Sequence, residues 1–243
     1  MSFNFSPNIV TDSLVLYLDA ANTRSYVSGS TIWYDLTGNN LNGNLVNGPT
    51  FSNTNNGYLR CDGSDDYIEV LDNTILDFGS NNFTVEYWFR KLSTSVGAGN
   101  DNIWGVNKWN TGTSPSTNEW VLSIGNTNVD SYGFSVVVGT TIYSTGISVD
   151  QLSINVWYQL VGVRNGGSLK TYLNGELKQD VSPSGFSSSS VINNVGRNLR
   201  INNSAVDAFY TNADNSNIRI YNRALTTAEV NRNYNALKNR FGL

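Results

Sequence analysis

Acidic side chains are the first candidates for chemistry in this 243-residue sequence, because it contains no histidine. That absence excludes Ser-His-Asp triads, Cys-His pairs and most zinc sites. Hydrolysis of a glycosidic bond would need two carboxylates that flank the bond. Asp65 and Asp66 are adjacent in an apparent turn, so their side chains need not converge. The glutamates are scattered, at Glu69, Glu86, Glu119, Glu176 and Glu229. We therefore expect no enzymatic activity.

Oxygen atoms are the ligands that the sequence offers to a metal ion. Asp and Asn side chains and backbone carbonyls are abundant, and calcium accepts six to eight oxygens in loose geometry. Calcium is therefore the expected metal rather than zinc. The segment Asp62-Gly63-Ser64-Asp65-Asp66 is a tight acidic turn between two apparent strands, Tyr58 to Cys61 and Tyr67 to Val70.

Aromatic rings are the groups that could bind a sugar. An exposed ring stacks on the apolar C–H side of a pyranose, while planar amides or carboxylates bind its hydroxyls. Trp109, in an irregular polar segment, is the strongest single candidate. Trp104, Trp120, Asn126 and Tyr132 lie in neighbouring segments and complete the predicted ligand-binding set. Packing in the core remains an alternative for Trp104 and Trp120.

The composition limits the class of partner. A net charge of −4 and a pI of about 4.8 argue against nucleic acid, since phosphate binding needs clustered Lys and Arg. No apolar run is long enough for a membrane-spanning helix, so we expect a soluble protein. Residues 1–10 do not resemble a secretory signal. The single cysteine, Cys61, excludes an intrachain disulfide and is expected to be a small buried apolar residue.

Turn residues organise the chain around a central β-meander. Asn165-Gly166-Gly167 and Asn174-Gly175 separate apolar runs and favour tight primed turns, which predicts three antiparallel strands over Trp157 to Gln179. Phe83 to Arg90 alternates apolar and polar residues and predicts another strand. Trp88, on its second face, lies either on the solvent side of the sheet or beneath another layer.

One short helix is expected at the C-terminal end. Thr226-Thr227-Ala228-Glu229 matches a capping box, and Leu225 and Val230 are placed to form a hydrophobic staple around it. Val191 to Arg197 and Ile218 to Tyr221 are the last predicted strands. No linker or tandem repeat divides the chain, so residues 1–243 are expected to form a single domain.

Six motifs give the chain a family resemblance. It resembles the concanavalin A-like lectin/glucanase superfamily, specifically its laminin G-like jelly-roll domains. The resemblance implies an all-β jelly-roll sandwich of two antiparallel sheets with roughly a dozen strands. The motifs, in the family's order, are Leu14 to Asn22, Trp33 to Asn40, Cys61 to Val70, Phe83 to Arg90, Trp157 to Gly175 and Asn217 to Val230.

The resemblance also carries expectations about the site. Domains of this kind bind calcium at the sandwich rim, which implies Asp62, Asp65 and Asp66 as ligands, with Asp19 as a contributor. The alternative is that these carboxylates only cap turns. Glucanases of the superfamily carry their acids on one strand as E-x-D-x-x-E, and no such strand occurs here.

For function, the resemblance implies a non-catalytic, lectin-like recognition module. Freestanding domains of this type resemble bacteriophage virion proteins, which implies a place on the virion surface or outside the cell, with release by lysis. The partners are then glycans on a host or in the environment, or virion subunits, and the protein forms homo-oligomers within the particle. The alternatives are a structural capsid or tail decoration protein that binds no sugar, and a diverged glycosidase.

Overall fold

Two eight-stranded antiparallel sheets form the body of the molecule in the computed structural model, which describes residues 7–93, 102–109, 118–126, 132–146, 152–204 and 209–243. The first eight strands are β1 (Leu14–Asp19), β2 (Ile32–Trp33), β3 (Gly43–Val46), β4 (Thr50–Ser52), β5 (Tyr58–Asp62), β6 (Tyr67–Val70), β7 (Phe83–Lys91) and β8 (Asn102–Lys108). The remaining elements are β9 (Trp120–Asn126), β10 (Gly133–Val138), β11 (Thr141–Ser144), β12 (Trp157–Asn165), β13 (Ser168–Leu173), β14 (Glu176–Val181), β15 (Leu199–Ile201), β16 (Asn212–Tyr221) and the helix α1 (Thr227–Leu237).

The strand order is that of a jelly-roll sandwich, as expected. Sheet I runs β14-β13-β12-β7-β16-β5-β4, and β1 also pairs with β16. Sheet II runs β11-β10-β9-β8-β15-β6-β3-β2. Strand β16 is long enough that Asn212 pairs with Asp62 of β5 while Asn217 pairs with Asp19 of β1. Asp62 of β5 and Asp19 of β1 therefore pair with different positions along β16.

The predicted meander is confirmed as β12, β13 and β14. Gly166, Asn174 and Gly175 have positive φ angles of 59°, 52° and 80°, which the two tight turns require. Strand β12 lies inside sheet I, between β13 and β7. Leu160 faces the main core, whereas Val161 packs into a separate apolar cluster on the opposite face. Both faces of this strand are therefore covered, as its apolar sequence indicates.

The C-terminal segment covers the outer face of sheet I. The Trp88 ring stacks on Phe241 at 4.4 Å and on Tyr234 at 5.7 Å between ring centroids. This face of β7 is thus the underside of another layer rather than a solvent-exposed surface. Phe89, the next residue, points into the main core between the sheets, so the strand alternates between two buried environments.

The capping box of α1 is confirmed. The Glu229 N–H donates to Thr226 Oγ1 at 3.3 Å, and the Thr226 N–H donates to Glu229 Oε2 at 2.9 Å. Leu225 and Val230 pack in one apolar cluster, as the staple predicts. No helix among the described residues has the length and apolar character needed to cross a bilayer.

The predicted strand at Val191 to Arg197 is wrong, because the strand lies later, at Leu199–Ile201. The Ile192 N–H donates to the Gly79 carbonyl and the Asn193 N–H to the Val137 carbonyl. These two acceptors belong to different parts of the fold, so the segment cannot form a regular ladder with one neighbour.

Candidate functional site

The acidic turn between β5 and β6 brings three carboxylates together. One carboxylate oxygen from each of Asp62, Asp65 and Asp66 lies within 4.8 Å of the other two. The Ser64 N–H donates to Asp62 Oδ1 at 2.7 Å, and the Asp62 N–H donates to Asp66 Oδ2 at 3.2 Å. Backbone hydrogen bonds therefore hold two of the three side chains in place.

The charges of this acidic turn are unequally stabilised. The Ser64 N–H lowers the pKa of Asp62, because it stabilises the charged form. Burial raises the pKa of Asp66, and repulsion from Asp62 and Asp65 raises it further. A divalent cation would relieve that repulsion. The three oxygens are the type that calcium prefers and would supply part of its coordination shell.

Asp19 lies apart from the acidic turn, so its predicted role as a further ligand there is corrected. Its Oδ1 accepts from Arg240 Nη1 at 2.7 Å and from the Ala21 N–H at 3.0 Å. Its Oδ2 accepts from the Tyr17 hydroxyl at 3.1 Å. Asp19 is thus part of an ion pair that anchors the C-terminal segment, and the calcium candidate reduces to Asp62, Asp65 and Asp66.

A pocket of about 510 Å³, here called the rim pocket, opens beside the acidic turn. Buried Tyr26 and half-buried Phe51 form its aromatic part, with ring centroids 5.1 Å apart. The Tyr26 hydroxyl donates to the Ser30 carbonyl at 3.0 Å, which fixes the ring. The lining residues are Tyr26, Ser28, Gly29, Ser30, Thr31, Leu45, Asn47, Gly48, Pro49, Thr50 and Phe51.

Asn47 and Gly48 form the wall that the rim pocket shares with the acidic turn. Asn47 Nδ2 donates to the Asp65 carbonyl at 2.8 Å. A Cβ placed on Gly48 would lie 4.0 Å from Asp66 Oδ1. The rim pocket therefore lies on one side of Asn47 and Gly48, and the carboxylates of the acidic turn lie on the other side. Sequence reasoning did not identify the pocket; the turn Asn47-Gly48-Pro49, which leads into β4 with Phe51 as its second residue, was the available signal.

Three of the predicted sugar-binding rings are buried. Trp104, Trp120 and Tyr132 are 2%, 0% and 1% exposed, so they present no ring face to a ligand. Trp120 packs against Phe83 at 5.9 Å between centroids, within the main core. Packing was the alternative for both tryptophans, and it corrects the expectation of a binding role. The alternation of β9 directs Trp120 inward.

Trp109 and Asn126 have different outcomes. Trp109 follows β8 and is half-buried, with its ring 6.2 Å from that of Trp104. Its accessible part keeps it a candidate contact. Asn126 ends β9, where its backbone pairs with Asn102. The Asn126 side chain lies outside the described residues, so its predicted role stays a prediction.

The glutamates are all ion-paired within the described part of the chain. Their partners are Arg200 for Glu69, Arg219 for Glu86, Lys108 for Glu119, Lys178 for Glu176 and Arg223 for Glu229. The Arg223 guanidinium lowers the pKa of Glu229 to about 2, because it stabilises the charged carboxylate, and this makes Glu229 a poor proton donor. These partners account for the scattered positions of the glutamates in structural terms.

Lys108 holds the densest of these groups. Its buried Nζ lies 3.0 Å from Asp72, 2.8 Å from Asp77 and 3.1 Å from Glu119. Three carboxylates surround one ammonium, which leaves an excess of negative charge. Burial raises the pKa of Glu119 to about 7, although the charge of Lys108 opposes the shift. Protonation of Glu119, the most buried of the three carboxyls, lowers this excess by one charge but does not remove it.

Comparison with sequence families agrees with this architecture. The family that matches residues 62–231, more than half of the chain, is described as the concanavalin A-like lectin/glucanases superfamily, and the matching domain is of the laminin G type. Comparison with curated proteins found no significant match.

Solved structures share the fold at low identity. The binding domain of Paraclostridial mosquitocidal protein 1 is 19% identical, with a TM-score of 0.70, and the match covers 92% of this chain and 52% of that one. Domain 4 of an extracellular GH43 arabinanase from Geobacillus stearothermophilus, in complex with arabinotriose, is 16% identical, with a TM-score of 0.63 and coverage of 90% and 97%. A Trypanosoma rangeli sialidase in complex with sialic acid is 14% identical, with a TM-score of 0.66 and coverage of 98% and 36%.

These identities show a common fold and nothing finer. The chain spans about half the length of the toxin binding domains that it matches. The arabinanase domain, in contrast, is matched over almost its whole length.

Proposed function

The chain belongs to the concanavalin A-like lectin/glucanase superfamily, and from that premise we propose that it is a non-catalytic module that binds glycans. The rim pocket is the observation that carries the proposal. It combines an accessible part of the Phe51 ring with the Asn47 amide and several hydroxyls. A sugar needs this combination, because its C–H face stacks on a ring and its hydroxyls pair with planar polar groups.

The size and position of the rim pocket support the proposal. Its volume of about 510 Å³ falls within the range of small-ligand sites. It lies where β3 turns into β4, and turns on a rigid sandwich are where binding residues concentrate. Three of the solved relatives are binding domains or sugar complexes by their descriptions, which raises the expectation for this fold without fixing a ligand.

The absence of catalysis is part of the proposal. Each glutamate has a cationic partner, and the histidine-free sequence offers no alternative general base of that type. In the acidic turn one oxygen from each of the three carboxylates lies within 4.8 Å of the other two, and Asp66 is buried. Retaining and inverting glycosidases separate their two carboxyl groups by about 5 to 9.5 Å around one bond.

Calcium is proposed to bind the acidic turn and to support the pocket. Asp62, Asp65 and Asp66 would hold the ion, and their mutual repulsion is the electrostatic reason for an ion to bind. The ion would also fix the turn whose Asp65 carbonyl accepts from Asn47. Calcium in this position would act on glycan binding through the wall of the rim pocket.

A glycan array, followed by calorimetry on each hit with and without calcium, tests the function. The variant Phe51→Leu keeps an apolar side chain but removes the flat ring, so glycan affinity should fall about tenfold, as expected for loss of roughly 1.4 kcal/mol of stacking. Tyr34→Ala is the control, because Tyr34 is an exposed ring outside the pocket. Equal losses in both variants, or no array signal, would contradict the proposal.

The biological setting stays a prediction from the sequence resemblance. We propose that the module sits on a bacteriophage particle and contacts host or environmental glycans there. Mass spectrometry of purified virions would detect the chain. The alternative, a decoration protein that binds virion subunits and no sugar, would be favoured by incorporation into particles together with a silent glycan array.

A further inference from the structure

A second depression, here called the amide groove, lies at the other end of β3 from the rim pocket. It has a volume of about 380 Å³ and combines four carboxamides and one carboxylate with three aliphatic side chains. Leu71 is 62% exposed at its edge, an unusual position for a large apolar residue in the absence of a contact. The lining residues are Asn40, Leu41, Asn42, Asn44, Val70, Leu71, Asp72 and Asn73.

Backbone donors fix the orientation of two of the amides. Asn42 Oδ1 accepts from the Asp35 N–H at 2.9 Å, and Asn73 Oδ1 accepts from the Ile75 N–H at 3.0 Å. Because only an oxygen can accept from an N–H, the Nδ2 group of each side chain must be its free end. Within the described parts of the chain, neither Nδ2 group has a hydrogen-bond partner. The groove therefore offers amide donors in defined positions.

Asp72 supplies an acceptor among these donors. Its Oδ1 accepts from Lys108 Nζ at 3.0 Å, and its N–H donates to Asn198 Oδ1 at 2.9 Å. Its Oδ2 has no hydrogen-bond donor in the part of the chain that the structure describes. The buried lysine thus holds the Asp72 carboxylate in one orientation and leaves the second oxygen available for a ligand.

We infer that the amide groove is a binding site for an uncharged saccharide, in which hydroxyls are held between the Asp72 carboxylate and the side-chain amides of the groove, those of Asn42, Asn44 and Asn73. A hydroxyl can donate to Asp72 and accept from an amide at the same time, so adjacent hydroxyls satisfy both kinds of group. Leu71, which is 62% exposed, supplies apolar surface for the C–H face.

The charge of the groove selects against anionic ligands. Lys108, the cation behind it, is already surrounded by Asp72, Asp77 and Glu119. No further cation lines the groove among the described residues. A sugar carboxylate would meet the excess negative charge without compensation, whereas a neutral sugar would not.

The inference rests on the proposed function for its ligand class, but it uses different residues. The rim pocket includes Leu45 to Phe51 and the amide groove Asn40 to Asn44, at opposite ends of β3. A chain of several sugar units could contact both sites, and each site can also fail alone.

Two variants test the groove without removing structural contacts. Asn73→Ser keeps a capping oxygen for the Ile75 N–H but removes the Nδ2 donor. Asn44→Ala removes an amide that makes no hydrogen bond within the described residues. Asn231→Ser is the matched control, because Asn231 lies on α1, over the opposite sheet, and its side chain likewise accepts one hydrogen bond, from Asn235.

The probes are arabinotriose and cellotriose, which are neutral, and free sialic acid, which is anionic. With a neutral trisaccharide at millimolar concentration, the side-chain amide NMR signals of Asn42 and Asn73 should shift. Asn73→Ser and Asn44→Ala should each weaken that binding about three- to tenfold, the range for one lost hydrogen bond. Asn231→Ser should leave it unchanged, and sialic acid should leave the groove signals in place.

The inference is overturned if neither neutral sugar moves the groove signals, if the groove variants behave like the control, or if sialic acid shifts these signals as strongly. Signals near Phe51 report separately on the rim pocket. Shifts at Phe51 without shifts at Asn73 would reject the groove and keep the proposed function, and the reverse pattern would reject the rim pocket alone.

Discussion

Asn47 donates a hydrogen bond of 2.8 Å from its side chain to the backbone carbonyl of Asp65, eighteen residues further along the chain. The bond joins the wall of an aromatic pocket to the turn that carries three converging carboxylates. A change in the charge or position of that turn therefore reaches the pocket through one side chain.

Removal of that side chain should uncouple the two sites. Asn47 has a φ angle of 65°, so Asn47→Gly deletes the amide without straining the backbone. We expect glycan affinity measured by calorimetry to lose its dependence on calcium, while calcium affinity falls less than threefold. Asn55→Gly is the control, because Asn55 also has a positive φ and lies outside the pocket. A calcium effect of unchanged size in Asn47→Gly would show that the bond transmits nothing.

Calcium binding itself depends on the acidic turn. Asp65→Asn removes one of three negative charges from a group whose oxygens lie within 4.8 Å, and we expect calcium affinity to fall at least about tenfold, since ligand charge count sets affinity in such sites. Terbium luminescence sensitised by the neighbouring Tyr67 measures it. Asp12→Asn, at an exposed ion pair with Arg223, serves as the control. Equal terbium binding by both variants would exclude the turn as the site.

The Glu119 carboxyl should make stability depend on pH. Its pKa is raised to about 7 by burial, against about 4.5 for an unfolded chain. The folded state therefore holds a proton that the unfolded state releases, and the contribution of this group falls as pH rises from about 4.5 to 7. Glu119→Gln, which keeps the size of the side chain but cannot ionise, should reduce the fall in the free energy of unfolding between pH 4.5 and 7 by about 1–3 kcal/mol. Urea unfolding at several pH values gives both curves. Parallel curves would assign the titration to another group.

Glu86 is the buried charge whose loss should cost most. It is fully buried in an ion pair with Arg219, and it also accepts from Gln159 at 2.6 Å and from Asn233 at 2.9 Å. Glu86→Ala leaves the Arg219 guanidinium buried without a counter-ion, which costs about 3–5 kcal/mol of unfolding free energy. Chemical denaturation measures this loss. Glu176→Ala, in an exposed pair with Lys178, should cost less than about 1 kcal/mol; a similar cost in both variants would mean that the buried pair is not needed.

Local patterns predicted the scaffold well, because they are set by neighbouring residues. The meander turns at Gly166 and Gly175 and the cap at Thr226 depend on backbone geometry that a few residues determine. The resemblance to the superfamily supplied the two-sheet arrangement. Cys61 is fully buried as expected, and burial raises the pKa of its thiol to about 12. The single-domain boundary at residues 1–243 stays a prediction.

The site was predicted less well, because it depends on which segments meet across the sheets. The acidic turn is local and brings together the three carboxylates that the resemblance implies as calcium ligands, whereas Asp19 is held by Arg240, a residue more than two hundred positions away. Strand alternation buried Trp120, which sequence reasoning placed in a binding role. Phe51 and Asn73 belong to pockets that form only when β3 pairs with β6.

The pairing of Leu14 with Tyr221 has a kinetic consequence. Strand β16 cannot complete its hydrogen bonds until segments from both ends of the described chain have met, and closing so long a loop costs entropy before any contact repays it. This topology belongs to the slow class of folding reactions, in the millisecond-to-second range or longer. Until closure, β7 presents a bare apolar edge, so early intermediates are the species most exposed to self-association.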